Sequence, residues 1–339
     1  MNLKKTYIIA EVGPNHQGSL KIAKDYIKKL SDIGVDAVKF QIGIAEEIYS
    51  NDAFKPKNQQ NKNNKSLNIL TLAKKRLLQL EDFKILYKEC KKNKVDFICS
   101  AFDLKSLKFL YKHTKFPFFK IASGEIHSKD TLDFISKKKI PILLSTGMSN
   151  ILDIKKSLRV LNRFHKQKII ILHCVSNYPT KVENLNLNFI KTLKENFKYN
   201  VGLSDHSLEQ LPSLLAISLG AKVIEKHVTL NKKWDGPDHK ASLNIREFKN
   251  LVNKIRETEK ILGKGAKIIT REERLNSLAS KKSCVTNIDL NKGDKILRNN
   301  ISFKRPGTGV SPLEVHKIVN KKVKSFITKD SIIKLSFLL

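Results

Sequence analysis

The chain has 339 residues, 40% of them hydrophobic, and carries 65 lysines and arginines against 32 aspartates and glutamates, a net charge of +33. That composition supports a large folded core with room for a second small one, and no apolar run approaches the ~18 residues that a membrane span requires. The positive excess is almost all lysine spread along the whole chain, without a zinc finger or a basic helix with interleaved aromatics. It therefore describes solvated faces and a field that draws in small anions, rather than a nucleic-acid surface.

In chain order, the N-terminal "MNLKKTYIIAEVG" meets Glu11 after a short apolar run. That run is too short for the apolar core of a signal peptide, so the cytoplasm is the expected compartment. The run "YIIAE" (7–11) is the first of eight strand-like segments. The others are "DAVKFQ" (36–41), "DFICSAF" (96–102), "PFFKIASGE" (117–125), "PILLSTG" (141–147), "KIIILHCVSNY" (168–178), "NVGLSDH" (200–206) and "AKVIEKHVT" (221–229). Amphipathic stretches separate them. One at 19–34 opens on Ser19 as a possible N-cap and closes on Gly34; another covers 208–220. Residues 55–66, "KPKNQQNKNNKS", are polar and low in complexity and are expected to form a mobile loop. Strand–helix alternation repeated along the chain predicts an α/β fold, a closed (β/α)8 barrel over 1–267. A charged connector follows at 268–282. The short β-type runs of 283–339 predict a separate small β-rich domain. Cys90, Cys99, Cys174 and Cys284 form no C-x-x-C pair and are expected as reduced, buried thiols.

Polar groups cluster where the strands end. These ends carry Glu11, Lys39 and Gln41, Ser100, then Lys120, Ser123 and Glu125, and Ser145. Further on come Ser176 and Tyr178, Ser204, Asp205 and His206, and finally Glu225 and His227. A barrel brings all of these to one C-terminal mouth. Period-two alternation puts Glu225 and His227 on one side of their strand and Lys226 on the other, where its ammonium is expected to snorkel past the helices to water. A single strand histidine is ordinarily a hydrogen-bonded core residue, and single serines at strand ends are ordinary turn residues. What separates this set from those readings is that every strand end carries such a group. His206 and His227 on neighbouring strands could supply part of a divalent-metal site with positions left open. Two lysines and several hydroxyls suit a small substrate bearing carboxylate and phosphate. No P-loop and no strand-linked G-x-G-x-x-G is present.

Taken together and in order, "IIAEVGPNHQGS", "AVKFQ", "FKIASGE", "LLSTGMS", "GLSDHS", "EKHVT", "GPDHKASL" and "KRPGTG" resemble the bacterial sialic acid (N-acetylneuraminate) synthase family. The resemblance implies a TIM barrel followed by a small antifreeze-like SAF β-clip domain. It implies an enzyme that condenses phosphoenolpyruvate with the open-chain form of an N-acetylated hexosamine, typically N-acetylmannosamine, and releases phosphate with the help of Mn2+ or Mg2+. By the same resemblance, Lys39, Ser100, Lys120, Ser123, Ser145, Ser176 and Ser204 would bind phosphoenolpyruvate, and His206 and His227 the metal. Glu11, Glu225 and His227 would be catalytic. Gln41, Tyr178 and Asp238 would hold the amino sugar, together with Arg305 of "KRPGTG" reaching across a domain-swapped homodimer. Two alternatives are a synthase of a related nonulosonate, such as legionaminate from a diacetamido trideoxyhexose, and a non-catalytic carbohydrate- or nucleic-acid-binding protein.

Overall fold

The structure, a computed structural model, describes residues 5–55 and 67–339. Apart from residue 55, the polar loop expected at 55–66 lies outside the described residues. The chain divides into two compact units, Met1–Gly263 and Lys264–Leu339.

The first unit is the expected barrel. Its elements run β1 (Tyr7–Glu11), α1 (Leu20–Asp32), β2 (Ala37–Ile42), α2 (Ala45–Ile48), α3 (Ile69–Arg76), α4 (Leu80–Lys92), β3 (Asp96–Ala101) and α5 (Leu104–His113). Then come β4 (Phe119–Ile121), α6 (Lys129–Ser136), β5 (Ile142–Ser145), α7 (Ile151–Leu161), β6 (Ile169–Cys174) and α8 (Phe189–Phe197). It ends with β7 (Asn200–Asp205), α9 (Leu211–Ser218), β8 (Val223–Thr229), the two-residue β9 (Leu243–Asn244) and α10 (Ile245–Leu262). Strands β1 to β8 pair in parallel in sequence order, and β8 returns to β1, with Ile9 opposite Glu225 and Glu11 opposite His227. The start of α1 follows from its cap: the Ser19 hydroxyl accepts from Ile22 N–H, and past its end Gly34 takes φ +80°. Some strands are shorter than their apolar runs. The fourth begins only after Pro117, which has no N–H to give a ladder, and leaves the sheet for a 3-10 turn at Ser123–Glu125.

Two apolar layers fix which side chains face inward. Ile9, Ala37, Ile98, Phe118, Leu143, Ile170, Leu172 and Val223 pack together as one cluster inside the barrel. Their neighbours of opposite parity, including Ile8, Val38, Phe97, Phe119, Leu144 and Ile224, pack against the helices. Two residues beyond the inner cluster, with the same parity, come Glu11, Lys39, Ser100, Lys120, Ser145, Cys174 and Glu225, and Gln41 and His227 lie one step further.

Three expectations about the strand ends need correction. Lys226 does point outward, but it does not snorkel: it is 1% exposed, its Nζ lies 2.7 Å from Asp205 Oδ2 and it donates to the Ser207 carbonyl at 2.7 Å. Asp205 is not a rim group. Its parity is opposite to that of Ser204 and His206, and its carboxylate also accepts from the hydroxyls of Ser207 and Ser213. Helix α9 covers this pair, so the lysine has no route to water and a buried carboxylate takes its place. Glu125 turns away from the mouth in the 3-10 turn, accepts from the Ser128 hydroxyl and lines a separate cavity with Asp103 and Lys108.

In the second unit, α11 (Arg271–Ser280) is capped reciprocally by Thr270 and Glu273 and buries none of its residues. The strands β10 (Ser283–Thr286) and β11 (Ile301–Lys304) are antiparallel, and isolated bridges tie in the remaining chain. Cys284, Ile296, Ile318, Val323 and Ile333 form its own small core. All four cysteines are free and buried. Among the described residues, no helix is long and apolar enough to cross a membrane.

Candidate active site

A cavity of about 330 Å3 opens at the C-terminal end of the barrel. It is lined by Glu11, Lys39, Gln41, Lys120, Ser123, Ser145, Ser176, Tyr178, Ser204, His206, Glu225, His227 and Asp238. These are thirteen of the fifteen residues to which the resemblance gives a role. Ser100 lies beneath the floor, fully buried, with its hydroxyl 3.4 Å from Lys39 Nζ. Arg305 is an exposed residue of the second unit, just past β11.

The floor is a charge network. Lys39 Nζ lies 2.8 Å from Glu11 Oε2 and 3.7 Å from Glu225 Oε1. Lys120 Nζ is also 3.7 Å from Glu225 and donates to Ser145 at 2.8 Å. Ser204 donates to Glu225 at 3.0 Å, and the Gln41 amide donates to Glu11 at 2.7 Å. Buried ions are tolerated only when paired, and here two cations and two anions neutralise one another. Burial drags the Lys120 ammonium below its ordinary value, with Glu225 opposing. Burial also acts on Lys39, but Glu11 and Glu225 outweigh it and hold that ammonium above its usual range. Burial would lift the Glu225 carboxyl, yet Lys120 and Lys39 bring it below the usual range. Glu11 goes the other way, raised by burial against the pull of Lys39 and with the help of Glu225. Two carboxylates in one cavity are thus driven apart in acidity, the arrangement that acid–base roles require.

Glycine makes room for this packing at two places. Gly13 holds φ +52°, and a Cβ there would lie 3.1 Å from Glu11 Oε1 and 3.2 Å from Gln41 Nε2. At Gly147 a Cβ would come within 2.2 Å of the Ser176 hydroxyl, while its N–H donates to Ser123 at 3.0 Å.

Three rings form the opposite wall. His206 and His227 have centroids 5.3 Å apart; Tyr178 lies 4.1 Å from His206 and edge-on to His227 at 5.6 Å. His206 Nδ1 is 2.8 Å from the Val175 carbonyl, so that nitrogen carries the proton and Nε2 is left to face the cavity. Buried His227 Nδ1 has no hydrogen-bond partner among the described residues, and Asp238 Oδ2 is 3.6 Å away. Burial, with His206 and Lys39 adding repulsion, keeps the His227 ring far below its ordinary pKa and hence neutral. Burial and the nearby Glu11 raise Asp238 to about 6. Burial opposes the charge on His206, but Cys174 and the Val175 carbonyl raise that ring to about 9. A divalent cation held by these two imidazoles beside Asp238 would therefore have to displace the His206 Nε2 proton, while His227 already offers an orphaned nitrogen. Among the described residues, no three His, Cys, Asp or Glu side chains converge to enclose an ion. The chain's own donors would therefore leave positions for substrate or water.

Other residues joined the site unannounced. Cys174 Sγ is 3.8 Å from His206 Nδ1; burial opposes ionisation, but His206 and Lys120 bring the thiol down to about 7. Only its strand parity hinted at this. Pro14, Tyr49, Phe102, Met148 and Pro237 form an apolar outer lining. The Arg76 guanidinium carries charge close enough to Asp235 and Asp238 to be felt by both. Nothing in the sequence around Tyr49 or Arg76 marks them, because α2 and α3 show no strand period to orient them.

A closed parallel barrel whose mouth gathers paired lysines and glutamates, hydroxyls and two imidazoles in one cavity has the architecture of a TIM-barrel enzyme. Residues 26–267 match the NeuB family and residues 281–339 match the SAF domain. The chain belongs to the NeuB family and ends in a SAF domain. An N,N'-diacetyllegionaminic acid synthase of Campylobacter jejuni is 39% identical over 334 residues, covering 98% of this chain and 100% of its own. A second one, of Legionella pneumophila, is 35% identical over 321 residues, covering 94% and 90%. The crystal structure of an N-acetylneuraminic acid synthetase from Leptospira borgpetersenii, in complex with citrate, superimposes with a TM-score of 0.71 at 30% identity, covering 81% of this chain and 91% of that one.

Proposed function

We propose that the protein is a nonulosonate synthase that joins carbon 3 of phosphoenolpyruvate to the aldehyde carbon of an open-chain N-acetylated amino sugar. The observation that carries this reading is the polarity of one cavity, with Lys39, Lys120 and hydroxyls at its floor and His206 and His227 at its wall. In this reading Lys39 and Lys120 receive the carboxylate and phosphate, giving up part of their pairing with Glu11 and Glu225. Ser123, Ser145, Ser176 and Ser204 offer oriented hydroxyls, and Ser100 steadies Lys39 from below. His206 and His227 would hold Mn2+ or Mg2+, which when bound supplies Lewis-acid polarisation of the aldehyde. As the new bond forms, positive character develops at carbon 2; Glu225 and Glu11 face it and can also take a proton from the water that adds there. Loss of phosphate by C–O cleavage then leaves the 2-keto-3-deoxy acid. Gln41, Tyr178 and Asp238 address the sugar's hydroxyls and N-acetyl group. Arg305 reaches the sugar from the SAF domain of a second copy, in a domain-swapped homodimer.

The sequence alone put N-acetylmannosamine first among sugars and a diacetamido trideoxyhexose second. Two observations favour the second. Both synthases above are named for a doubly acetylated product, N,N'-diacetyllegionaminic acid, and the largely apolar outer lining of Pro14, Tyr49, Phe102, Met148 and Pro237 suits a methyl and an acyl group. Phosphate release from phosphoenolpyruvate with each sugar tests this. Faster turnover of the diacetamido sugar is expected; faster turnover of N-acetylmannosamine would reverse the order, and release with neither would overturn the reaction itself.

A further inference from the structure

A second, smaller cavity of about 110 Å3 opens beside the main one. Pro14, Gln41, Tyr49, Phe102 and Pro237 line both, so the two spaces share a wall. Ile48 of α2 and Ile69, Ala73 and Leu77 of the α3 segment line the smaller one alone, and Arg76 at the end of α3 is the only Lys, Arg, Asp or Glu among its described lining residues. His16 also lines it, but burial lowers that ring to about 4, so it is neutral near pH 7.

Shape and chemistry narrow the occupant. The space is small and bounded by Ile48, Ile69, Ala73 and Leu77, so it suits one small substituent such as an acetamido group rather than a sugar ring. Most of the lining is apolar, and its polar side chains, His16, Gln41, Tyr49 and Arg76, are few. A single guanidinium at the edge matches a single carbonyl. Arg76 already feels Asp235 and Asp238, but a guanidinium has five donors to distribute.

We propose that this side pocket receives the second acylamino group of the sugar, the one a singly acetylated hexosamine lacks. The methyl lies against Ile48, Ile69, Ala73 and Leu77, the carbonyl accepts from Arg76, and the sugar ring stays in the main cavity across the shared wall. The inference rests on the nonulosonate reading above and makes α3 the selector between singly and doubly acylated sugars.

The test compares wild type, Ala73→Phe and Arg76→Met with phosphoenolpyruvate and either N-acetylmannosamine or 2,4-diacetamido-2,4,6-trideoxymannose. Ala73→Phe fills the pocket and is expected to raise KM for the diacetamido sugar at least about tenfold, with KM for phosphoenolpyruvate within about twofold of wild type. Arg76→Met keeps most of the volume and removes the donor, so it is expected to raise the same KM several-fold. Thermal unfolding checks that each variant folds, and if Ala73→Phe does not, Arg76→Met decides. A preference between the two sugars that is unchanged in the folded variants overturns the side pocket while the reaction stands. Phosphate release by wild type with neither sugar overturns the reaction, and the pocket's role with it.

Discussion

Lys120 shows how tightly single residues are coupled in this cavity. It has 5% of its surface exposed, touches Ser145, and shares Glu225 with Lys39. Lys120→Met is expected to lower kcat/KM for phosphoenolpyruvate by about 10²–10³, the usual loss when one placed charge leaves a water-poor site. KM for the sugar should change little, and steady-state titration of each substrate separates the two effects. His206→Ala and His227→Ala are each expected to abolish turnover while circular dichroism stays native, and a chelator should silence the wild type. Activity of His227→Ala in the presence of a chelator would exclude the assigned metal position. His16 couples stability to pH. It is 2% exposed and its Nδ1 accepts from Gly18 N–H, and burial lowers the ring to about 4. The unfolded ring takes up its proton near pH 6.5 while the folded one resists until about 4, so the unfolded state binds more protons in that window. Stability should therefore be full above pH 6.5 and fall by about 3 kcal/mol as pH drops to 4. His16→Gln should flatten that slope in urea unfolding series; an unaltered slope would assign it to other groups.

At the scale of elements, the informative feature is β8, where consecutive residues serve opposite layers. Glu225 and His227 face the cavity, and Lys226 between them pairs with Asp205 at 2.7 Å under α9. Removing one member leaves a buried charge alone, so Lys226→Met is expected to cost about 3–5 kcal/mol. Adding Asp205→Leu should restore much of it, and a single variant as stable as wild type in urea would refute the pairing. Alternation was readable in "AKVIEKHVTL" because strand side chains alternate whatever surrounds them. The fate of Lys226 was not, because whether an outward lysine reaches water depends on how closely α9 packs. Glu125 failed for a related reason: "PFFKIASGE" reads as one run, but the ladder ends at Ile121 and the turn points Glu125 elsewhere.

At the scale of the whole molecule, the chain forms two units, Met1–Gly263 and Lys264–Leu339, with separate cores, where the sequence set a connector at 268–282 and a change of pattern after it. The proposed swapped dimer makes a specific prediction about Arg305 and the barrel. Arg305→Ala should raise KM for the sugar with a smaller effect on phosphoenolpyruvate. Unfolded and refolded together, inactive Lys120→Met and impaired Arg305→Ala chains should regain about a quarter of wild-type activity, since half the dimers would each contain one intact site. No regain in refolded mixtures of confirmed dimers would exclude the exchange.

The sequence by itself determined the alternation of strands and helices and the placing of Glu225 and His227 on one face of their strand with Lys226 on the other. Both follow from local backbone geometry, which repeats every two or 3.6 residues without reference to the rest of the chain. Tertiary structure alone decided that Cys174 meets His206, that Ser100 lies under Lys39, that Asp205 neutralises Lys226, and that α3 brings Arg76 to the edge of a side pocket. Those meetings depend on barrel closure, strand register and the seating of helices, and no local period encodes the distance between groups that the chain brings together only when it folds.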